Sequence, residues 1–158
     1  IKKGKVPFKE PGLEKILKKY KKKYCLFSKN PIIKRDKINL VFICVGTPCK
    51  KNGDGNLDYI KKSILSIQKK FKSERIIFVI KSTVPPGTIK ENISKIINNK
   101  NISLCSNPEF LREGFAWHDF NNTDKIVIGY ENINDFNIIK SLYCQSESHK
   151  EAEKSHSQ

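Results

Sequence analysis

Four apolar runs, at residues 40–45, Ile76–Ile80, 102–105 and 126–128, alternate with stretches of a different period. Unbroken runs of Val, Ile, Leu, Phe and Cys are what a strand covered on both faces requires. Between them Leu57, Ile60, Ile64, Leu65 and Phe71 recur at helical spacing, as do Ile89, Ile93, Ile96 and Ile97. Strand and helix in alternation predict βαβ units with right-handed crossovers. The expected fold is α/β, a doubly wound parallel sheet. Its strands should lie near 40–45, 76–81, 102–106 and 125–129, with helices near 57–71 and 87–98.

The rest of the chain fits around that frame. Leu13, Ile16, Leu17 and Tyr20 predict a first helix, and residues 135–143 a closing one. Residues 31–36 read as a connector. Asn56 suits the cap of the helix that follows it, and Pro86 the first turn of the next. Residues 144–158 are polar, with almost no apolar side chains, and read as a disordered tail. The sequence starts at Ile1 and contains no Met, which reads as a fragment of a longer chain.

The formal net charge of +15 raises the possibility of a nucleic-acid partner. The lysines are scattered over helix faces as well as bunched at Lys15, Lys18, Lys19, Lys21, Lys22 and Lys23, and no interleaved aromatics accompany them. A solvated surface is the expectation, with no nucleic acid and no membrane. No apolar stretch reaches the roughly 20 residues of a membrane helix. Five cysteines without CxxC spacing argue against a disulfide framework or zinc site. Cys44 and Cys105 lie in apolar runs and read as small core residues. His118, His149 and His156 show no ligand spacing, and His118 reads as a bystander.

The chemistry sits just after the strands. Val45-Gly46-Thr47-Pro48, Lys81-Ser82-Thr83-Val84-Pro85-Pro86-Gly87-Thr88 and Asn107-Pro108-Glu109-Phe110-Leu111-Arg112-Glu113-Gly114 each follow an apolar run. Ligands of open α/β sheets bind beyond the carboxyl ends of the strands. Gly46 allows close approach of backbone to a ligand, and Thr47, Ser82 and Thr83 supply hydroxyls. A helix starting near Pro86 would turn its N-terminus toward an anion. If residues 109–113 form one helical turn, Glu109 and Glu113 share a side. Carboxylates held together suit a general base or a water-positioning group, with Arg112 offsetting their charge.

With these motifs the chain resembles the UDP-glucose/GDP-mannose dehydrogenase family. The resemblance is carried by residues 4–14, by Phe42-Ile43-Cys44-Val45-Gly46-Thr47-Pro48, by residues 81–88, and by 107–114 running on through Asp119-Phe120 to 125–129. It implies a Rossmann-like domain, residues 1–143, in which the first βαβ unit is missing. It implies NAD as cofactor and a nucleotide sugar, UDP-glucose, as substrate, oxidised at C6 in two hydride transfers. Val45, Gly46, Thr47, Pro48 and Cys49 would line the cofactor site. Ser82 and Thr83 would contact the cofactor and help position the catalytic water. Glu109, Phe110, Leu111, Arg112 and Glu113 would hold the sugar nucleotide. Glu109 would assist hydrolysis of a covalent thioester, and Glu113 would also touch the nicotinamide side, which makes Thr83, Glu109 and Glu113 the catalytic candidates.

The family's Gly-rich phosphate turn precedes the position of Gly4 and is absent from this sequence. None of the five cysteines matches the family's catalytic cysteine. The chain alone is therefore expected to be inactive and to bind NAD weakly or not at all. The full-length enzyme is expected to be a cytoplasmic homo-oligomer. The alternative substrate is GDP-mannose, which Val84-Pro85-Pro86 disfavours. A non-catalytic, basic nucleic-acid-binding relic is the alternative of a different class, against which Thr83, Glu109 and Glu113 together stand.

Overall fold

The computed structural model describes residues 6, 8–27, 40–71, 74–144 and 152–155, the last four as backbone. The expected connector at 31–36, along with His149 and His156, lies outside the described residues. Helix α1 is Leu13–Lys19, strand β1 Leu40–Ile43, α2 Asp58–Gln68, β2 Ile76–Ile80, β3 Ile102–Ser106, α3 Ala116–Asn121, β4 Ile126–Gly129, α4 Ile133–Cys144 and β5 Ala152–Ser155. The sheet order is β1-β2-β3-β4-β5.

β2 lies between β1 and β3, parallel to both, with Phe78 level with Val41 and Leu104. All five of its residues are buried, which is why the run shows no polar alternation. Alternate side chains feed two cores. Ile43, Ile76, Phe78, Ile80 and Ile102 pack with Ile60 and Ile64 of α2 and with Ile93. Ile77, Val79, Cys105, Ile126 and Ile128 pack on the other face with Phe136, Ile139 and Tyr143 of α4. Helices therefore cover both faces of the sheet, as a doubly wound fold requires. Arg75, just before β2, donates at 2.5 Å to the buried Asp135 of α4 and ties that helix to the sheet. Asn56 Oδ1 accepts from Asp58 N at 2.9 Å and satisfies one of the free donors at the start of α2.

The sheet is mixed, where a wholly parallel one was expected: β4 runs antiparallel to β3, paired at Ser106 and Gly129. The connection between them, residues 107–125, carries the six-residue α3 and returns beside β3 in the opposite sense. The twelve residues of α4 pack on the face that buries Ile126 and Ile128 and join β4 to β5, which run parallel.

Four further expectations change. α3 falls in a stretch expected to be loop. The helix expected at 87–98 is a wide π-type run, Ile89–Ile93, tightening into a 3-10 turn, Ser94–Ile96. Within the tail expected to be disordered, Ala152–Ser155 forms a strand along β4. Cys44 is exposed and not part of the core, because β1 ends at Ile43 and Cys44 already belongs to the loop beyond it. Cys105 is buried as expected.

Candidate functional site

Parallel register brings the three motifs to one edge. Lys81 N donates to Ile43 O, and Asn107 N to Ile80 O, each at 2.9 Å. The ladder thus runs one residue past each strand, and Lys81 and Asn107 leave the sheet side by side.

At the β1–β2 end two loops are clasped by uncharged groups. Thr47 Oγ1 donates to Thr83 O at 3.2 Å, and Ser82 Oγ to Val45 O at 2.5 Å. Thr47 and Ser82 are half-buried, whereas Gly46, Pro48, Cys49 and Thr83 are exposed. Gly46 has no atom within 4 Å of the place a Cβ would occupy, so its backbone faces open space. Beyond it Cys49 bridges to Gly55, and the tight loop turns through Gly53 at φ +86°. At the following helical turn a Cβ on Gly87 would meet Glu91 Oε1 at 3.0 Å. The chain's own carboxylate thus lies over the turn where an anion was expected.

At the β3 end charged groups join the polar ones: Asn107 and Tyr143 are buried, Lys81 is half-buried and Glu109 is exposed. Asn107, 1% exposed, donates from Nδ2 to Val127 O at 2.8 Å. Its Oδ1 accepts from the Tyr143 hydroxyl and from Lys81 Nζ, the latter at 3.2 Å. Lys81 Nζ also reaches Tyr143 Oη at 3.4 Å. A cavity of about 30 Å³ beside this knot is lined by Lys81, Asn107, Glu109, Phe120, Lys125 and Tyr143, among others. Burial lowers the pKa of Lys81, and the charge of Glu109 opposes that shift. Partial desolvation of its sulfur and then Glu109 raise the thiol of Cys44, although the residue as a whole is exposed; burial is the main cause that raises the Tyr143 hydroxyl.

Glu109 and Glu113 do not share a helical turn. Residues 107–112 are irregular, and the turn comes later, at 113–115. Pro108 disfavours helical backbone at Asn107. Arg112 N, which a helix would send to Pro108 O, donates to Asp119 Oδ2 at 3.0 Å. The Arg112 guanidinium donates to both oxygens of Asp119, at 3.0 and 2.7 Å, and holds that carboxyl well below the usual range. Arg112 therefore orders its loop and does not face Glu109. Phe110 and Glu113 are exposed, and Leu111 lines the small cavity with Phe110. Glu113 does not line it. The loop is braced from the start of the chain: Glu10 Oε1 accepts from Trp117 N at 3.0 Å.

The profile of the UDP-glucose/GDP-mannose dehydrogenase family, NAD binding domain, matches residues 1–147. The chain belongs to this family. UDP-glucose 6-dehydrogenase of Rickettsia typhi is 40% identical over 109 residues, which are 68% of this chain and 25% of that protein. UDP-glucose 6-dehydrogenase YwqF of Bacillus subtilis is 36% identical over 151 residues, 90% of this chain and 33% of that protein. The crystal structure of a ternary complex of GDP-mannose dehydrogenase from Pseudomonas aeruginosa superposes with a TM-score of 0.80 and 31% identity. It is matched by 98% of this chain, which covers 37% of that one. The chain thus spans a quarter to just over a third of the length of these relatives.

The family domain binds NAD, and open backbone beside hydroxyl groups fits a part of that cofactor that carries no phosphate. The open backbone at Gly46 and the hydroxyls of Thr47, Ser82 and Thr83 form a shallow neutral edge. Sequence reasoning missed Lys81 and Tyr143 as site residues, along with a role for Asn107. A signal was there for two of them: a lysine directly after five apolar residues, and an asparagine where the next strand ends. Tyr143 carried none, because it reads as one more apolar position of a helix. Among the described residues no three His, Cys, Asp or Glu are grouped as metal ligands, and no helix is long and apolar enough to cross a membrane.

Proposed function

We propose that this chain is the part of an NAD-dependent nucleotide-sugar dehydrogenase that holds the reacting end of the cofactor and the hydrolytic water, in an enzyme that oxidises C6 of UDP-glucose to the carboxylate of UDP-glucuronate. The observation that carries this reading is the meeting of Thr47, Thr83 and the Lys81–Asn107–Glu109 group at one sheet edge. The names of the Rickettsia and Bacillus relatives support UDP-glucose.

NAD, when bound, supplies the hydride acceptor for each oxidation. Val45, Gly46, Thr47, Pro48 and Cys49 would line the site that holds it. Ser82 and Thr83 would contact it and the water. Glu109 takes a proton from that water as its oxygen bonds to the thioester carbon; the carbon–sulfur bond breaks, and the sulfur leaves as a thiol with the proton returned from Glu109. Phe110, Leu111, Arg112 and Glu113 present the loop to the sugar nucleotide. The second reading, GDP-mannose, is favoured by the likeness to the Pseudomonas structure.

The test uses an active family enzyme rebuilt with residues 6–144 of this chain. It should oxidise UDP-glucose with a higher kcat/KM than GDP-mannose; the reverse order would transfer the assignment to GDP-mannose. In the same enzyme Glu109→Gln should slow product release more than the first hydride transfer, and mass spectrometry should find the covalent adduct. Hydrolysis at the parental rate would remove Glu109 from the mechanism.

A further inference from the structure

Lys81 follows a strand in which every residue is buried. An ammonium placed there is unfavourable unless it is partnered. Two of its three donors go to Asn107 Oδ1 and Tyr143 Oη. Asn107 is in turn fixed to Val127 O and to Tyr143. One side-chain knot thus joins the ends of β2 and β3 to β4 and α4. The cavity beside it has mixed walls, with Lys81, Asn107, Glu109 and Tyr143 among apolar neighbours, and has room for one or two waters.

The cations around Glu109 differ in what they can reach. Arg112 is turned to Asp119. Lys125 Nζ lies over the Phe110 ring, 5.4 Å from its centre. Lys81 is held still by neutral partners, within electrostatic reach of Glu109 from β2. The other titratable groups facing this spot are Cys44 from the end of β1, Tyr143 from α4 and Lys125 from the approach to β4.

We propose that Lys81 is a positioning residue: clamped by Asn107 and Tyr143, its ammonium anchors the start of the 107–112 segment and presents a fixed positive charge to Glu109 across the small cavity. This deepens the reading of Glu109 as the base and rests on it. A carboxylate that must accept a proton from one particular water needs a partner that does not move, and surface lysines do not provide one.

The experiment is a pH titration of this chain by NMR, without substrate or cofactor. It follows the Lys81 Cε resonance and the Asn107 side-chain amide. Lys81 should lose its proton at lower pH than the exposed lysines, and the Asn107 amide should shift with the same midpoint. Glu109→Gln should move both midpoints further down, because the negative charge that favours the ammonium is gone. Lys81→Gln, which keeps a donor without the charge, should abolish the titration of the Asn107 amide. Lys81→Arg should keep that amide in its parental low-pH position throughout. Tyr143→Phe, a smaller change, should also lower the Lys81 midpoint, and it serves if Lys81→Gln fails to fold. A Lys81 midpoint indifferent to Glu109→Gln, or an Asn107 amide indifferent to Lys81, overturns the proposal. The two readings separate cleanly. Coupling seen here, with parental adduct hydrolysis in the Glu109→Gln enzyme, keeps the clamp and removes the base; accumulation of the adduct without this coupling does the opposite.

Discussion

The two ends of the site are built differently, although both hang from neighbouring strands of one sheet. At the β1–β2 end, hydroxyls donate to backbone carbonyls and the surface is open and neutral. At the β3 end, an amide buried to 1% exposure serves a lysine and a tyrosine at once. The first arrangement leaves room for a ligand and depends little on pH. The second concentrates the charge and the burial. Substitutions at the two ends should therefore separate in size.

The largest effect is expected at the enclosed end. Asn107→Ala strands Val127 O and removes the acceptor shared by Lys81 and Tyr143, which should cost about 2–3 kcal/mol. The urea unfolding midpoint measures it; a change within error would erase the contrast between the ends. Next comes a pH effect from beneath that end. Burial, then Asp135 and Glu131, push the Cys105 thiol up from 9.0 to about 12. The folded chain keeps a proton that the unfolded chain releases, so this stabilisation is complete below pH 9 and is lost as pH rises toward 12. The loss should be about 1 kcal/mol at about pH 10, and Cys105→Ala should flatten it. An equal alkaline slope in both proteins would show that Cys105 titrates alike in both states.

The open end should respond less. Ser82→Ala removes a half-buried hydrogen bond to Val45 O and should cost about 1 kcal/mol in the same urea experiment. Thr47→Val removes an exposed bond to Thr83 O and should cost less than about 0.5 kcal/mol. If Thr47→Val proves as damaging as Asn107→Ala, the open end is a structural element in its own right. Isothermal titration of the chain with NAD should show little or no binding; a micromolar dissociation constant would mean that the neutral edge suffices without a pyrophosphate-binding turn.

Much of the candidate site is legible in the residues. Gly46, Thr47, Ser82 and Thr83 are expected together from the sequence, because parallel strands deliver their carboxyl ends to one edge whatever the details. The pairing of Glu109 with Glu113 was not legible. It depended on a helical turn, and Pro108 with the distant acceptor Asp119 withholds that turn. The bracing of α3 by Glu10 was equally invisible, since the partners are 107 residues apart.

The sequence by itself determined where β1 to β4 lie, which of their faces are buried and where the polar loops emerge, because apolar runs and helical periods are local properties of the chain. Only the tertiary structure decided the direction of β4, the exposure of Cys44 and the partnership of Lys81, Asn107 and Tyr143. The first is set by the pairing of Ser106 with Gly129, and the second by the end of β1 at Ile43. The third arises because Lys81 and Tyr143, 62 residues apart, meet at Asn107 only once α4 packs on the sheet. A burial pattern can be read along a chain, but a hydrogen-bond partner from another element cannot.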